Sequence, residues 1–333
     1  MTVTNLIEML RYKRPQGSDT QREFCDRFLE PVMGVPDLHG NFIHIVYDSD
    51  FPDVIPDIVY TAHHDTVHST GGMQEVVVVD NVASSVGADC LGADCTTGVY
   101  LILEMIDAGV PGVYVVHAAE EVGCKGSSAL VADRPFWLSS SLAVISFDRY
   151  GTESVITHQM GYRTSSDSFA KSLANILGMP KLKPDPTGSY TDSNEYSDVV
   201  PECTNLSVGY YKQHTSNETQ DLSFVAKLRD ALISADWSKL VIERNPEEVE
   251  DLYSYRTDYF YEDEDKYNSY DVSYGSDNYK ELLYVVNRYP EDIAWYLDSI
   301  GVGVDVLLDE IGVMDSNLVN VMSKKDKYVQ RKA

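Results

Sequence analysis

The sequence predicts an α/β fold: a three-layer sandwich in which helices cover both faces of a mixed, largely parallel β-sheet. Short apolar, β-branched segments alternate with segments of helical periodicity along residues 1–240. Several strand-like segments are apolar at almost every position, which is typical of strands covered on both faces. Because a helix is the usual connection between two parallel strands, this alternation favours a sheet flanked by helices.

The first elements along the chain are two helices and a strand. Helical periodicity predicts helices at 3–14 and 19–30, the second with Ser18 or Asp19 as its N-cap. The segment "GNFIHIVYD" at 40–48 alternates apolar and polar residues after a Gly-Asn turn, which predicts a strand.

The later elements are four strands and two helices, and three of the strands end in polar residues. In chain order they are the strands "DIVYTAHHDTV" (57–67) and "QEVVVVD" (74–80), a helix at about 98–108, the strands "GVYVVHAAEE" (112–121) and "SLAVISFD" (141–148), and a last amphipathic helix at about 221–240.

Changes in composition divide the chain into three parts. Residues 1–245 are the predicted α/β domain, and 246–278 are an acidic, tyrosine-rich linker with few aliphatic residues. Residues 279–333 regain helical periodicity, which predicts a small helical C-terminal module with a frayed basic end, and Pro290 is well placed to start a helix. The acidic linker and module are also a candidate binding region for a protein partner.

Charge and cysteine content exclude several classes of protein. The chain has 26 basic and 53 acidic side chains and a formal net charge of −27. Such a surface repels phosphate backbones, which argues against nucleic-acid binding. Five cysteines without a Cys-x-x-Cys pair indicate neither a disulfide scaffold nor a cysteine-based zinc site. Since no signal peptide and no apolar run of about 20 residues are found, we expect a cytoplasmic protein that does not bind membranes.

Histidine and carboxylate side chains cluster at the ends of the predicted buried strands. "HHD" at 63–65, "EE" at 120–121 and "FD" at 147–148 each follow or end such a strand. In open α/β sheets, ligands bind at the carboxyl ends of the strands. Several carboxylates beside apolar strands are costly unless cations neutralise them. Imidazole and carboxylate ligands suit zinc, manganese or cobalt.

The order of these motifs resembles that of the cocatalytic di-metal (zinc) aminopeptidase and carboxypeptidase superfamily, closest in layout to the compact leucyl-type bacterial aminopeptidases. That family has His-x-Asp after a strand, Gly-x-Asp opening a helix, Glu-Glu, a further Asp and a late His shortly before a Glu. This chain matches the pattern with "HHD" (63–65), "GAD" (92–94), "EE" (120–121), "SFD" (146–148) and "HTSNE" (214–218). The resemblance covers about residues 1–240 and implies a zinc-exopeptidase-like fold.

The resemblance implies two divalent metal ions, zinc with manganese or cobalt as alternatives. His63 and Asp148 would bind one ion, Glu121 and His214 would bind the other, and Asp94 would bridge both. The intervals from His63 to Asp94 and from Asp148 to His214 are too short to hold an inserted lid or dimerisation domain. We therefore expect a compact metallopeptidase-like catalytic domain at 1–245.

Two further roles are carried over by the resemblance. Asp65 would orient His63 through an imidazole N–H, which fixes the tautomer of the ring. Glu120 would be the general base that takes a proton from the attacking water and the acid that gives it to the leaving amine.

Two of these assignments compete with a neighbouring residue. The tetrapeptide Gly-Ala-Asp-Cys occurs twice, so Asp89 competes with Asp94; we prefer Asp94 because a helix starts immediately after "DCTTG" (94–98) and the bridging aspartate of the family that the chain resembles opens a helix. His64 competes with His63, but only His63 has an aspartate two residues on. Cys95 occupies a position where the relatives often carry Asp or Asn, and we interpret it as a small buried residue.

The predicted function is that of a metal-dependent exopeptidase of the aminopeptidase type, acting on short peptides or amino-acid amides. The alternatives are an amidohydrolase or deacylase of N-acyl amino acids, a glutaminyl-cyclase-like enzyme with one zinc, and an inactive binding scaffold. Four residues before the late histidine are candidates for contacting the substrate: Tyr210, Tyr211, Asp192 and Asp198.

Overall fold

The structure of the protein is a computed structural model that describes residues 3–248. The linker predicted at 246–278 lies outside the described residues except for its first three positions. The helical module predicted at 279–333, and with it the candidate partner-binding region, lies entirely outside them.

The helices of the described part include two long ones, and the others have ten residues or fewer. In chain order they are α1 (Val3–Met9), α2 (Asp19–Phe24), α3 (Glu30–Met33), α4 (Ala93–Asp107), α5 (Lys125–Asp133), α6 (Asp167–Ile176), α7 (Asp192–Glu195) and α8 (Leu222–Ser234). A π-helical turn, Cys25–Leu29, joins α2 to α3, and short 3₁₀ turns lie at Leu138–Ser140 and Trp237–Lys239.

The strands range from two to seven residues. In chain order they are β1 (Tyr12–Lys13), β2 (Phe42–Val46), β3 (Ile58–His63), β4 (Gly72–Met73), β5 (Val76–Val79), β6 (Val82–Ser85), β7 (Gly112–His117), β8 (Ala143–Arg149), β9 (Ser154–Ile156), β10 (His158–Gln159), β11 (Tyr162–Arg163), β12 (Lys183–Asp185), β13 (Glu202–Ser207), β14 (Tyr210–Tyr211) and β15 (Thr219–Asp221).

Seven of these strands form the central sheet, in the order β12-β9-β13-β8-β3-β7-β2. The pairs β12–β9, β13–β8, β8–β3 and β3–β7 are parallel, whereas β9–β13 and β7–β2 are antiparallel. The predicted mixed, largely parallel sheet is therefore confirmed. A second sheet of four antiparallel strands, β14-β15-β6-β5, lies beside the loops that follow the central strands.

The central strands are apolar because helices cover both faces of the sheet. Every residue of β3, β7 and β13 is buried. One face packs against α4, which in turn packs against α1 and α8, and the other face carries a smaller cluster that includes Trp137 and Tyr196. Helix, sheet and helix are the three layers predicted from the sequence.

Some element boundaries differ from the prediction. The first helix ends at Met9, and Tyr12–Lys13 instead pair with Gly72–Met73 as a short antiparallel ladder. The second helix is capped by Ser18, whose Oγ accepts a hydrogen bond of 3.1 Å from the N–H of Gln21. Among the described residues, no helix combines the length and apolar character that a membrane span requires.

The helix predicted from about residue 98 begins five residues earlier, at Ala93. Its first turn is irregular, because Asp94 and Cys95 have non-helical dihedral angles and the peptide bond between them is cis. Gly98 lies where this helix meets the sheet, and a Cβ there would collide with the backbone oxygen of Phe147. The close approach of helix and sheet brings the first turn of α4 to the carboxyl ends of the strands.

Candidate active site

The residues predicted as metal ligands lie together at the carboxyl edge of the central sheet. Parallel strands that end at one edge deliver their last side chains to the same place, and loops between them add the rest. The five residues come from the end of β3, the first turn of α4, the loop after β7, the end of β8 and the loop between β14 and β15: His63, Asp94, Glu121, Asp148 and His214.

His63 faces three carboxylates. Its Nε2 lies 3.1 Å from Asp94 Oδ1 and 3.5 Å from Asp148 Oδ1. Glu120 Oε2 is 3.9 Å from the same nitrogen. The ring is fully buried, so these acidic groups are close to one another and poorly solvated.

His214 faces the other side of the same aspartate. Its Nε2 lies 3.2 Å from Asp94 Oδ2 and 3.3 Å from Glu121 Oε1. Each carboxylate oxygen of Asp94 therefore faces a different histidine, and Asp94 lies at the centre of the cluster.

Asp65 lies behind the cluster, and its contacts differ in one respect from the prediction. The two oxygens of its carboxylate accept hydrogen bonds of 3.1 Å from the backbone N–H groups of Glu120 and Glu121. The closest Asp65 atom to Nδ1 of His63 is the backbone carbonyl oxygen, at 3.1 Å, whereas the carboxylate lies at 3.5 Å. Asp65 thus contacts the imidazole as expected and also fixes the backbone that carries both glutamates.

Glu218 was part of the late motif, but sequence reasoning gave it no role. Its carboxylate accepts hydrogen bonds from the backbone N–H of Gly92, at 2.8 Å, and of Asp94, at 3.1 Å. These bonds hold the first turn of α4 against the loop that carries His214. The spacing of a glutamate four residues after the late histidine was the only signal of this contact in the sequence.

The competing residues lie outside the cluster. His64 Nδ1 is 3.0 Å from Gln21 Nε2, and its Nε2 is 3.2 Å from the backbone oxygen of Gly40. Asp89 accepts hydrogen bonds from the N–H and the hydroxyl of Ser69. Cys95 is buried next to the cluster, and its thiol donates to the backbone oxygen of Phe147 at 3.2 Å.

The four candidates for substrate contact separate into two groups. Tyr210 reaches the site, because its hydroxyl donates to the backbone oxygen of Asp148 at 2.9 Å. Asp192 is buried near the site and accepts a hydrogen bond of 2.6 Å from Ser127. Tyr211 and Asp198 are exposed and lie outside the cavity over the carboxylates.

A cavity of about 100 Å³ opens over the cluster. Asp94, Glu120, Asp148 and His214 line it. The remaining lining comes from four strands and three loops: Arg149, Tyr150, Ile156, Gly188, Ser189, Tyr190, Thr191, Asn205, Tyr210 and Gln213.

The pKa values of the acidic groups shift in opposite directions, because burial dominates at some of them and hydrogen bonds dominate at Asp94. Burial raises the pKa of Glu120 well above its usual value and also raises the pKa values of Glu121 and Asp148. For Asp94, burial acts in the same direction, but hydrogen bonds from His214 and His63 outweigh it and lower the pKa. Hydrogen bonds to Asp94 and Glu121 raise the pKa of His214 to about 11.

The groups around His63 raise its pKa, although burial alone would lower it. Burial lowers its pKa, but the groups around the ring, mainly Cys95, Asp148 and Asp65, raise it well above the usual value. A divalent cation would take the place of the protons that these histidines and carboxylates share.

The donor set fits divalent metal ions. Glu121 Oε1 is buried, and His214 Nε2 lies 3.3 Å away but without the alignment of a regular hydrogen bond. Ligand atoms from Asp94, Glu121 and His214 all lie within 4.8 Å of one another. Two further sets contain His63, one with Cys95 and Asp148 and the other with Glu120 and Glu121. Buried carboxylates that the chain leaves without donors are stable when paired or when they coordinate a metal.

Comparison with known proteins gives a family match and a fold match. Residues 53–198 match a family described as "Peptidase family M28". This segment contains every predicted ligand except His214. No curated protein sequence matches the chain significantly.

Solved structures with the same fold include three peptidases. Aminopeptidase PepT from Bacillus cereus is 14% identical, with a TM-score of 0.55 over 70% of this chain and 96% of its own. A tripeptidase from Staphylococcus aureus is 14% identical, with a TM-score of 0.57 over 70% of this chain and 96% of its own. The TET1 peptidase from Pyrococcus horikoshii is 14% identical, with a TM-score of 0.52 over 70% of this chain and 99% of its own.

At 14% identity the structural matches show the shared fold. The family match supports hydrolysis of peptide bonds. Together they confirm the resemblance inferred from the order of the motifs. Residues 53–198, which are less than half of the chain, match peptidase family M28, and this match supports a metallo-hydrolase that acts on peptide bonds.

Proposed function

We propose that the protein is an aminopeptidase that uses two divalent metal ions to hydrolyse short peptides. The observation that carries this proposal is the position of Asp94, whose two carboxylate oxygens face two different histidines. A carboxylate placed in this way is suited to bridge two ions. Aminopeptidase and tripeptidase activities are named for two of the proteins that share the fold.

The residues that would hold the ions follow from the two sides of Asp94. His63 and Asp148 would hold one ion with Asp94, and Glu121 and His214 would hold the other. When bound, two such ions polarise a carbonyl group and lower the pKa of water. Imidazole nitrogen and carboxylate oxygen suit zinc, with manganese and cobalt as alternatives.

Glu120 has the position and protonation behaviour of a general base and acid. Its carboxylate lines the cavity, and burial raises its pKa, which makes it a stronger base than an exposed glutamate. It would take a proton from the attacking water and give it to the amine that leaves. Asp65 supports this role, since its carboxylate binds the backbone N–H of Glu120.

The size of the cavity favours the end of a peptide over an internal segment. A volume of about 100 Å³ accommodates a small group, so the substrate would enter by one terminus. We propose the amino terminus, because the free amine can pair with the carboxylates of the cluster.

A substrate panel tests the proposal. The metal-reconstituted full chain is assayed against aminoacyl amides, dipeptides and N-acyl amino acids. Hydrolysis of the first two classes is expected, whereas activity on N-acyl amino acids alone would identify a deacylase. Elemental analysis should find two ions per chain; a single ion would favour a glutaminyl-cyclase-like site.

The variant Glu120→Gln separates the proton shuttle from metal binding. We expect it to retain both ions and to lose about 10²–10⁴-fold in rate, because removal of a general base has this effect. Asp89→Asn is the matched control, since it neutralises an acid outside the cluster. Equal rates for Glu120→Gln and the control would remove Glu120 from the mechanism.

A further inference from the structure

The cavity over the cluster contains one arginine among its acidic groups. Arg149 lines the cavity together with Asp94, Glu120 and Asp148, and only 7% of the residue is exposed. Arginine remains charged in proteins, so a cation is fixed beside the site.

A β-bulge explains how Arg149 reaches the cavity next to Asp148. Successive side chains of a strand normally face opposite sides of the sheet. The pairing of β8 with β13 slips here, because Ser146 pairs with Asn205 but Arg149 pairs with Ser207. The extra residue in β8 is the mark of a bulge, which redirects side chains.

The backbone groups that the bulge leaves unpaired are satisfied by one side chain. Asn205 Oδ1 accepts a hydrogen bond of 2.9 Å from the N–H of Asp148, and Asn205 Nδ2 donates one of 2.9 Å to the Asp148 backbone oxygen. The bulge is therefore a stable feature of the fold, and the position of Arg149 is built into it.

One end of the guanidinium is anchored to the protein. Nη2 donates to the hydroxyl of Thr187 at 3.0 Å and to its backbone oxygen at 3.2 Å. The group also packs over the ring of Tyr150, 4.2 Å from its centroid. The ion pair with Asp185 is long, at 3.5 Å, and Asp185 also accepts from Ser154 at 2.6 Å.

The other donors of Arg149 make no hydrogen bond with residues 3–248. Every hydrogen bond that the side chain makes within the described residues goes through Nη2. Nε is buried without a hydrogen-bond partner. No ion pair joins the guanidinium to the carboxylates of the cluster, so those groups do not use its charge.

We infer that Arg149 binds a carboxylate of the substrate and makes the enzyme selective for peptides that carry one near the scissile bond. The inference rests on the proposed function, which it deepens by naming a substrate class. A guanidinium with unpaired donors beside a cavity is complementary to a carboxylate, with which it forms strong hydrogen bonds. The carboxylate belongs either to an acidic N-terminal side chain or to the C-terminus of a dipeptide.

Two pairs of substrates test the inference and distinguish the two sources. Glu-p-nitroanilide is compared with Gln-p-nitroanilide, and the dipeptide Leu-Gly is compared with its amide. In each pair only one carboxylate is replaced by a neutral amide of the same shape. We expect the metal-reconstituted full chain to prefer the carboxylate in one pair by about 10- to 100-fold in kcat/KM, which matches one hydrogen bond between charged groups.

Substitutions of Arg149 assign the preference to this residue. Arg149→Met should abolish the ratio within the pair, and Arg149→Lys should retain part of it. Arg22→Gln, which removes an exposed arginine on α2, should leave the ratio unchanged. Thermal unfolding shows whether each variant is folded. Ratios near one in both pairs for the wild type, or a preference that survives in Arg149→Met, would overturn the inference.

A binding measurement separates this inference from the proposed function. Calorimetric titrations compare glutamate with glutamine, and Leu-Gly with its amide, on the same metal-loaded protein. If no substrate is hydrolysed but Arg149→Met abolishes a preference for carboxylate binding, the proposed function fails and the inference holds. If peptides are hydrolysed without any preference for a carboxylate, the inference fails and the proposed function holds.

Discussion

Buried carboxylates occur at both ends of the central sheet, and the chain treats them differently. Glu202 begins β13 at the amino end of the strand and is fully buried. Its two oxygens accept five hydrogen bonds, from the Oγ of Ser165, from the N–H and Oγ of Ser166, and from the N–H groups of Glu243 and Arg244. The protein itself supplies every donor that this carboxylate needs.

Glu120, at the opposite edge, receives almost nothing from the chain. Its side-chain contacts within the described residues are a thiol of Cys124 at 3.7 Å and the ring of His63 at 3.9 Å. Burial therefore raises the pKa of Glu120. Glu202, in contrast, accepts five hydrogen bonds from the protein. The difference separates a carboxylate that the fold satisfies from one that we propose takes part in proton transfer.

The largest expected effect on stability is the difference between Glu202→Gln and Glu120→Gln. Glu202→Gln should lower the free energy of unfolding of the metal-free protein by about 3 kcal/mol, because the amide NH₂ would face donors that then lack an acceptor. Glu120→Gln should leave it unchanged or raise it slightly. Urea denaturation of both variants measures the difference, and equal losses would show that the two carboxylates are not distinct.

Stabilisation by metal ions should depend on the cluster around Asp94 and not on Glu202. Zinc at about 100 times its dissociation constant should raise the free energy of unfolding by about 2.7 kcal/mol. In Asp94→Asn this gain should be lost, because the carboxylate between the two histidines is gone. Glu202→Gln should keep the full gain. Thermal unfolding with and without zinc measures each gain, and an unchanged gain in Asp94→Asn would contradict the assignment.

The metal-free protein should lose stability as the pH rises. Burial raises the pKa of Asp192 from 3.8 to about 8, so the folded state retains a proton that the unfolded chain releases. The contribution of this group is complete below the unfolded pKa and is lost as the pH approaches the folded pKa, by at most about 1.4 kcal/mol per pH unit. Glu218, whose burial raises its pKa to about 7, acts in the same direction.

Denaturation at about pH 5, 6 and 7 tests this dependence. Asp192→Asn should have a shallower decrease in stability than the wild type, because the titrating proton is absent. Asp94 acts in the opposite direction, since its lowered pKa contributes stability that is lost as the pH falls. Identical slopes for Asp192→Asn and the wild type would rule out this contribution of Asp192.

The smallest effect is expected at the duplicated tetrapeptide. Asp89→Asn should lower the free energy of unfolding by at most about 1 kcal/mol, because the side chain is half-buried and accepts hydrogen bonds from Ser69 that the amide oxygen can keep in part. It should also leave the metal content unchanged, whereas Asp94→Asn should lower it. Elemental analysis of the two variants, prepared in parallel, decides between the two copies of the motif.

Much of the site could be predicted because parallel strands end at a common edge. The positions of His63, Glu121 and Asp148 follow from strands that the apolar periodicity already indicates. The preference for Asp94 over Asp89 followed from the start of a helix. These signals come from short stretches of the sequence, and the sheet brings the residues that carry them close together.

Other features depend on contacts between distant segments. The bonds from Glu218 to the first turn of α4 join residues more than a hundred positions apart. Asp65 was expected to use its carboxylate on His63, but the backbone oxygen lies closer. Loop conformation decides which atom of Asp65 lies nearer to the His63 ring, and this conformation cannot be read from the pattern of residue types.

By itself, then, the order of strands, helices and polar strand ends determined the fold class and brought two histidines and three acids to one edge of a sheet. Only the tertiary structure decided that a bulge turns Arg149 into the cavity and that Glu202 is satisfied while Glu120 is not. The physical reason is that periodicity specifies which face of an element is buried, whereas strand register and loop conformation specify which donors meet which acceptors.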